Sequence, residues 1–408
     1  MSGDHAALAA SKSATWVNCH GALALAKHLG IKDDDRKSED AAAGTCTHSI
    51  AHRMLMGEPV PAAGTTEMHD GFAIKVDDDR LERAREYVDK IQAMGGAQFY
   101  EVRLDSTPVF EVPDQFCTAD AVVADVQAHA LHVRDLKDGN GTVPAQDNEQ
   151  LLIYLLDAWH EFGYIDEFQK FSAGIEQPRK KWYPVAEYTR EQLLEWQDKI
   201  RRAAKHAVEL LDPKTPLNVI MASLVPGEKQ CKWCPARGRC AAQAGFITSE
   251  LPDTTRAGAA LSFEEMGAWL KKRVEIESWF DSLYGAALAA AISGTNIPGM
   301  KLVTGREGNR AWPKDPKQLE EIGEAIYECI QGDAYTRELI SPAVAQKKLC
   351  KKKSPPEHIE VWGKVSALVT RSAGAPALVP EADGRPQVSI DGPEFESVDN
   401  ANDLTGGL

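Results

Sequence analysis

Apolar positions recur every three or four residues along some stretches of this chain and alternate with polar ones along others. The first pattern predicts amphipathic helices. Residues 14–29 read as one helix, with Ser13 as N-cap and Gly30 after its last turn. A polar, acidic loop is expected from Lys32 to Asp40, then a helix from Thr45 to Met56. The charged stretch Asp77 to Ala93 keeps Leu81, Ala84, Tyr87, Val88 and Ile91 near a helical period, and Gly95-Gly96 ends it. Gln98–Leu104, Val109–Val112, Phe116–Val126 and Leu131–Lys137 are short, β-rich and separated by turn residues, which predicts a meander of strands.

Helical spacing returns at Asn148–Glu161, with Leu151, Leu152, Leu155 and Trp159 on one face. Phe171–Glu176 reads as one more strand and Thr189–Leu211 as a helix. A long helix follows, opened by the capping box Ser262/Glu265 and stopped by Gly294. Its apolar stripe runs Phe263, Met266, Leu270, Trp279, Leu283 and Ala287. Pro316–Gln331 and Pro342–Leu349 read as further helices, and the stretch after Pro380 as a flexible acidic tail. This order predicts a mixed α/β sheet flanked by helices over residues 1–250, a C-terminal helical region over 251–380 and the tail over 381–408.

Composition narrows the class. Hydrophobic residues are 43% and charged residues 26%, the balance of a globular chain with a real core. The run Ala286–Ile292 is too short to span a bilayer. No basic start followed by an apolar core is visible at the N-terminus, so no secretory signal is expected. Eight cysteines then point to a reducing, cytoplasmic setting. The net charge of -15 does not favour nucleic acid as a partner. Much of it sits in the tail, where seven acids stand against Arg385 alone. Basic clusters elsewhere leave room for a local channel: Arg179-Lys180-Lys181, Arg201-Arg202, Lys271-Lys272-Arg273 and Lys347 to Lys353.

The cysteines carry the sharpest signal. Cys231-x2-Cys234-x5-Cys240 gathers three thiols, and Cys19 is a remote fourth. Structural zinc usually shows two short-spaced pairs, so a triplet plus a single fits an iron–sulfur cluster better, with zinc the alternative. Cys46, Cys117, Cys329 and Cys350 show no ligand spacing and read as core thiols. Asp135 and Lys137 share a strand face, and Asp120 lies on the preceding strand, where hairpin pairing could set it beside Asp135. Two carboxylates would suit Mg2+ or Mn2+; the alternative is a surface ion pair. Gln150 and Tyr154 share a helix face and could reach a phosphate, or be a helix-face hydrogen bond and a core tyrosine. His48 and His52 stand four apart and could chelate a metal, although His52 reads better as a core or capping residue.

In order, Gly44-Thr45-x-x-His48, Thr118-Ala-Asp120, Asp135-Leu-Lys137 and Gln150-x3-Tyr154 resemble the RecB-type branch of the PD-(D/E)XK nucleases. Cys19 with the triplet resembles the iron–sulfur staple of that branch, found in break-repair complexes and CRISPR adaptation nucleases. Ile297-Pro-Gly-Met-Lys-Leu-Val303, Arg310-Ala-Trp312 and the stretch Ala377 to Pro386 are similar to a phage and prophage family of such nucleases, so the likeness covers about residues 10–386. The resemblance implies a restriction-endonuclease-like fold and a [4Fe-4S] cluster on Cys19, Cys231, Cys234 and Cys240. It implies Mg2+ or Mn2+ on His48, Asp120, Asp135 and the Leu136 carbonyl. Lys137 would orient or deprotonate water, and Gln150 and Tyr154 would steady the scissile strand. One departure is Ala43, where relatives carry a glutamate that Glu39 or Asp40 could replace.

The expected activity is metal-dependent cleavage of DNA, as an exonuclease resecting duplex ends for phage recombination beside a single-strand annealing protein. Arg179, Lys180 and Lys181 are the expected DNA contacts. The alternatives are a zinc-containing nucleic-acid-binding module and an inactive nuclease-fold subunit.

Overall fold

The computed structural model describes residues 7–31, 38–249, 262–305, 310–313, 315–331, 339–351, 354–370, 376–380 and 386–387. The acidic tail, the segment 250–256 and Lys352-Lys353 lie outside them, apart from Pro386 and Gln387. The chain forms two compact units, one running to Leu283 and the other from Tyr284 to Ala401.

In the first unit the opening segment does not form one helix. Helices α1 (Ser13–Trp16) and α2 (Ala22–His28) are separate. Gly21 sits between them so close to the chain that an added Cβ would meet the Ile220 carbonyl oxygen at 2.7 Å. The break leaves Cys19 outside both helices. Helix α3 (Glu39–Met56) starts well before the expected Thr45, because the Ser38 hydroxyl accepts from the Ala41 N–H at 3.1 Å and caps it there. The alanines after it favour helix enough to absorb Gly44.

A hairpin that the expected elements lacked follows, β1 (Thr66–His69) and β2 (Phe72–Lys75), turning at Asp70-Gly71. Both turn residues have positive φ, 50° and 89°, which the Asp-Gly pair tolerates. Helix α4 (Asp78–Gln92) is capped by Asp77.

Strand β3 (Ala97–Asp105) comes next, then a short helix α5 (Thr107–Phe110) where Val109–Val112 was expected as a strand. Pro108 explains the difference: it lacks the N–H a ladder needs and suits a first helical turn. Strands β4 (Phe116–Asp125) and β5 (Ala130–Leu136), helix α6 (Glu149–Phe162) and strands β6 (Lys170–Glu176) and β7 (Val185–Tyr188) follow. The sheet order is β3-β4-β5-β6-β7. Only β5–β6 is parallel, and α6 crosses over between them. After β7 come α7 (Arg190–Leu210), α8 (Leu217–Ala222), α9 (Glu228–Cys231), α10 (Ala241–Ser249) and α11 (Phe263–Ile292), which runs into the second unit. Ser262 and Glu265 do form the capping box of α11, while Phe263, Met266 and Leu270 of its stripe stand exposed.

Two apolar layers hold the sheet. Leu131, Val133, Phe171, Ala173 and Ile175 pack under Leu151, Leu155, Ile200 and Ala204 of α6 and α7. On the other face Ala121 and Leu136 meet Ile50 of α3 and Ala84, Tyr87, Val88 and Ile91 of α4. Each large side chain buried this way contributes about 1.5–3 kcal/mol. The fold is therefore mixed α/β, a five-stranded mixed sheet between helices.

The second unit, expected to be helical, also carries a two-stranded antiparallel sheet: β8 (Met300–Thr304) pairs with β9 (Pro376–Pro380). Helices α12 (Pro316–Ile330), α13 (Pro342–Leu349) and α14 (Pro356–Ser366) share a core of Ile322, Ile326, Leu349 and Val365. Trp312 packs edge-on against Trp362 and donates to the Ile340 carbonyl at 2.8 Å. No helix among the described residues is long and apolar enough to cross a membrane.

Candidate functional site

Strict alternation would keep Cys117, Ala119 and Ala121 on one face of β4. Cys117 and Ala119 do face α6, but Ala121 faces α3 and α4, and Val122 and Ala124 return to the α6 side. The same switch occurs on β3, between Val102 and Leu104 on one side and Tyr100 on the other. The ladder runs Tyr100↔Ala121 and Val102↔Ala119, and breaks between them, at Glu101 and Asp120. Glu101 has a left-handed φ of 46° there. Such kinks re-aim side chains near functional sites.

Here the kink presents two carboxylates to α3. Ligand atoms of His48, Glu101 and Asp120 all lie within 4.8 Å of one another. His48 Nδ1 is 3.4 Å from Asp120 Oδ2, which also accepts the Leu136 N–H at 2.7 Å. Burial opposes charge on His48, but the Asp120 carboxylate outweighs it and lifts the imidazole to about 9. Burial likewise pushes Asp120 up, and His48 and Lys137 win, holding it below the usual carboxylate range. Glu101 keeps open surface, yet the protein crowding its carboxyl, and then the Asp120 charge, push it to about 7.

Asp135 stands beside this trio. One step beyond the pair Ala121↔Arg134, it comes level with Asp120. Its carboxylate pairs with Lys137 Nζ at 2.8 Å and accepts from Gln150 Nε2 at 3.3 Å. The amide of Gln150 also donates to the Tyr154 hydroxyl at 2.8 Å, and Lys137 donates to its carbonyl oxygen at 3.4 Å. Asn148 caps α6 and so sets Gln150 and Tyr154 over the end of β5. Burial raises the Asp135 carboxyl, while Lys137, despite its burial, is held charged by Asp135 and Asp120. Tyr154 is raised well above the ordinary phenol by burial and then by both aspartates, so it stays a neutral donor.

All five residues from the strand and helix motifs, and His48, thus meet where the C-terminal end of β5 lies beside the middle of β4. The third member of the ligand trio is Glu101, not Glu39 or Asp40, which stand exposed in the first turn of α3. Sequence reading missed Glu101. Its signal was a charge in the middle of a β-rich run, at the place that pairing with Phe116–Val126 sets opposite Asp120.

The next residue, Asp138, anchors the strand end. It pairs with Arg83 at 2.7 Å and Arg179 at 3.1 Å and accepts from Thr47 at 2.7 Å. Burial pushes its carboxyl up, and these donors pull it below the ordinary range. Of the three expected DNA contacts, Arg179 is therefore tied to buried Asp138 although the residue itself stays exposed, and Lys181 pairs with Glu86 at 2.5 Å. Lys180 makes no ion pair among the described residues.

The cysteines converge as well. Cys19, Cys231, Cys234 and Cys240 line one small cavity with Leu25, Leu224 and Ala22. The Val225 N–H points at Cys19 Sγ (3.3 Å) and the Gly227 N–H at Cys231 Sγ (3.4 Å). Burial first, then the other three thiols, push Cys234 up to about 12. Gly238 lets α11 approach this loop, since an added Cβ would meet the Ser282 carbonyl oxygen at 2.2 Å. Of the remaining thiols, Cys117 is buried and donates to Asp157, whereas Cys350 is exposed rather than a core residue.

A solved structure described as the crystal structure of SSO0001 is similar over 60% of this chain and 89% of its own, at 14% identity and a TM-score of 0.29. The model of the DUF2800 family, described as a protein of unknown function, matches residues 5–386, and the chain belongs to that family.

Proposed function

We propose that this protein is a metal-dependent nuclease that hydrolyses DNA phosphodiester bonds. One observation carries the reading: the His48–Glu101–Asp120 trio, at the break in the β3–β4 ladder, and the Asp135–Lys137–Gln150–Tyr154 chain, at the end of β5, meet in one place. The donor set fits the expected group. Two carboxylates suit Mg2+ or Mn2+, and the imidazole tilts the choice toward Mn2+. A divalent ion held there would supply Lewis acidity at the phosphate. Lys137, fixed as an ammonium by its ion pair with Asp135, places positive charge where a phosphate oxygen gains negative charge and can orient a water. Gln150 holds that lysine, Asp135 and Tyr154 in one line, which leaves the phenol to steady the scissile strand.

The cysteine cavity supports the second half of the proposal, an iron–sulfur cluster of the [4Fe-4S] type. Four thiols surround a space instead of packing together, and backbone N–H groups already point at two sulfurs, as cluster thiolates require. A cluster there would tie the N-terminal segment to the loop after α8. We extend the reading to resection of duplex ends in phage recombination, in the cytoplasm, with a single-strand annealing protein as partner.

The test is digestion of end-labelled linear and closed circular DNA with Mg2+ or Mn2+, with Lys137→Ala as control. Linear DNA should shorten from its ends with the wild type alone. A wild type that leaves both substrates intact with either ion overturns the reading.

A further inference from the structure

We propose that Cys46, Glu67 and His69 form a second metal site, for a thiophilic divalent cation of the zinc class. The Cys46 sulfur, a Glu67 carboxylate oxygen and a His69 ring nitrogen all lie within 4.8 Å of one another. Two elements bring them together. Cys46 is fully buried on α3, and Glu67 and His69 share one face of β1, two residues apart. The tight turn at Asp70-Gly71 fixes that face by pairing β1 with β2.

The site is distinct from the one that contains His48. Two residues along a helix are about 200° of rotation apart, so Cys46 and His48 serve opposite sides of α3. The donors also differ in kind. A thiolate, an imidazole and a carboxylate, with a fourth position open, are a zinc set, and the thiolate is a poor ligand for Mg2+.

Arg53 supports the geometry. It donates to Glu67 Oε1 at 2.8 Å, which leaves Oε2 facing His69 Nε2 at 3.3 Å. One oxygen is thus held by the arginine while the other stays beside His69, the arrangement that orients a ligating carboxylate. Binding would release the Cys46 proton to solvent as the sulfur–metal bond forms, with no change of oxidation state. A cation here would pin the β1–β2 hairpin to α3, the helix that also presents His48. Without one, the same residues would be an arginine–glutamate–histidine network lying on a core thiol.

Cobalt(II) is the probe, added to the full-length protein after EDTA treatment without oxygen. A thiolate–cobalt charge-transfer band in the near ultraviolet reports sulfur ligation, which the His48 trio cannot give. The four-cysteine cavity could give such a band, so the comparison is with single variants. Cys46→Ser should lose one equivalent of cobalt and its share of the band, and His69→Ala should weaken that equivalent at least tenfold. Cys231→Ser should keep the Cys46-dependent share. Zn2+ should raise the melting temperature of the wild type more than that of Glu67→Gln, a variant on the partly exposed hairpin that covers the case of a misfolded Cys46→Ser. Equal cobalt stoichiometry and band in wild type, Cys46→Ser and His69→Ala would overturn the site, as would equal zinc stabilisation of wild type and Glu67→Gln. None of these readouts depends on DNA cleavage.

Discussion

Glu101 and Asp120 face each other across the one break in the β3–β4 ladder, Glu101 at a φ of 46°. The backbone there is strained for the sake of two carboxylates, since glycine would hold the same φ at less cost. Glu101→Gly should therefore leave stability unchanged or raise it by up to about 1 kcal/mol, while divalent-ion affinity drops at least tenfold. Calorimetric Mn2+ titration beside a thermal melt reads both. Unchanged Mn2+ affinity would remove Glu101 from the ligand set.

The Asp135–Lys137 pair makes a second separation possible. Asp135 is nearly inaccessible, its side chain 2% exposed, so Lys137→Ala leaves a buried carboxylate short of its main partner. Such a loss costs about 3–5 kcal/mol. Adding Asp135→Asn should recover most of that loss, because the neutral amide needs no counter-charge, yet cleavage should stay absent. A double-mutant cycle by denaturant melts with an activity assay checks this. Activity in the double variant would take Lys137 out of the reaction.

Sequence alone carried much of this arrangement. Asp135, Lys137, Gln150 and Tyr154 follow from periodicity, and hairpin pairing sets Asp120 beside Asp135: alternation puts Asp135 on the Val133 face, toward α6, and the helical period brings Gln150 and Tyr154 to that same end. Glu101 was not legible because its position depends on a kink in two strands at once, and alternation presumes there is none. The β1–β2 hairpin was legible in principle, since Asp70-Gly71 is a strong turn signal, but four-residue strands give too short a period to register. Cys46, Glu67 and His69 show no ligand spacing, because helix and hairpin meet only in three dimensions.

The cysteine cavity predicts a coupling between iron and folding. Cys19→Ser should reduce bound iron by at least half and lower the melting temperature, since the cavity joins the N-terminal segment to the loop after α8. Exposed Cys350 is the control, and Cys350→Ser should match the wild type in both. Full iron in Cys19→Ser, by mass spectrometry, would exclude it as a ligand.

Asp157 gives a pH prediction. It is fully buried in the core beside Ser106 and Cys117, and burial raises its carboxyl to about 7. The folded pKa lies above the unfolded one, so this group's contribution to stability is whole below about pH 4 and is lost as pH rises to about 7. Asp157→Asn removes that dependence while its amide oxygen can still accept from Ser106. Relative to wild type, the variant should gain on the order of 2–4 kcal/mol between pH 4 and pH 8. Denaturant melts at four pH values test it. A difference that stays constant with pH would mean that Asp157 is charged in the folded protein throughout.

The basic run after β6 separates into different roles. Arg179 holds Asp138 together with Arg83, and Lys181 is paired with Glu86, so neither cation is wholly available to phosphate. Lys180 makes no such pair among the described residues and projects from the same short turn. Phosphate contacts release counterions, and each one contributes about one unit to the slope of log affinity against log salt. Lys180→Ala should therefore flatten that slope by about one unit with an unchanged melting temperature. Arg179→Ala should act mainly through stability, by about 1–2 kcal/mol, because Asp138 is buried and loses one of its donors. A salt titration of DNA binding without divalent ions, run beside melts of both variants, separates the two effects. An unchanged slope for Lys180→Ala would place the DNA path away from this turn.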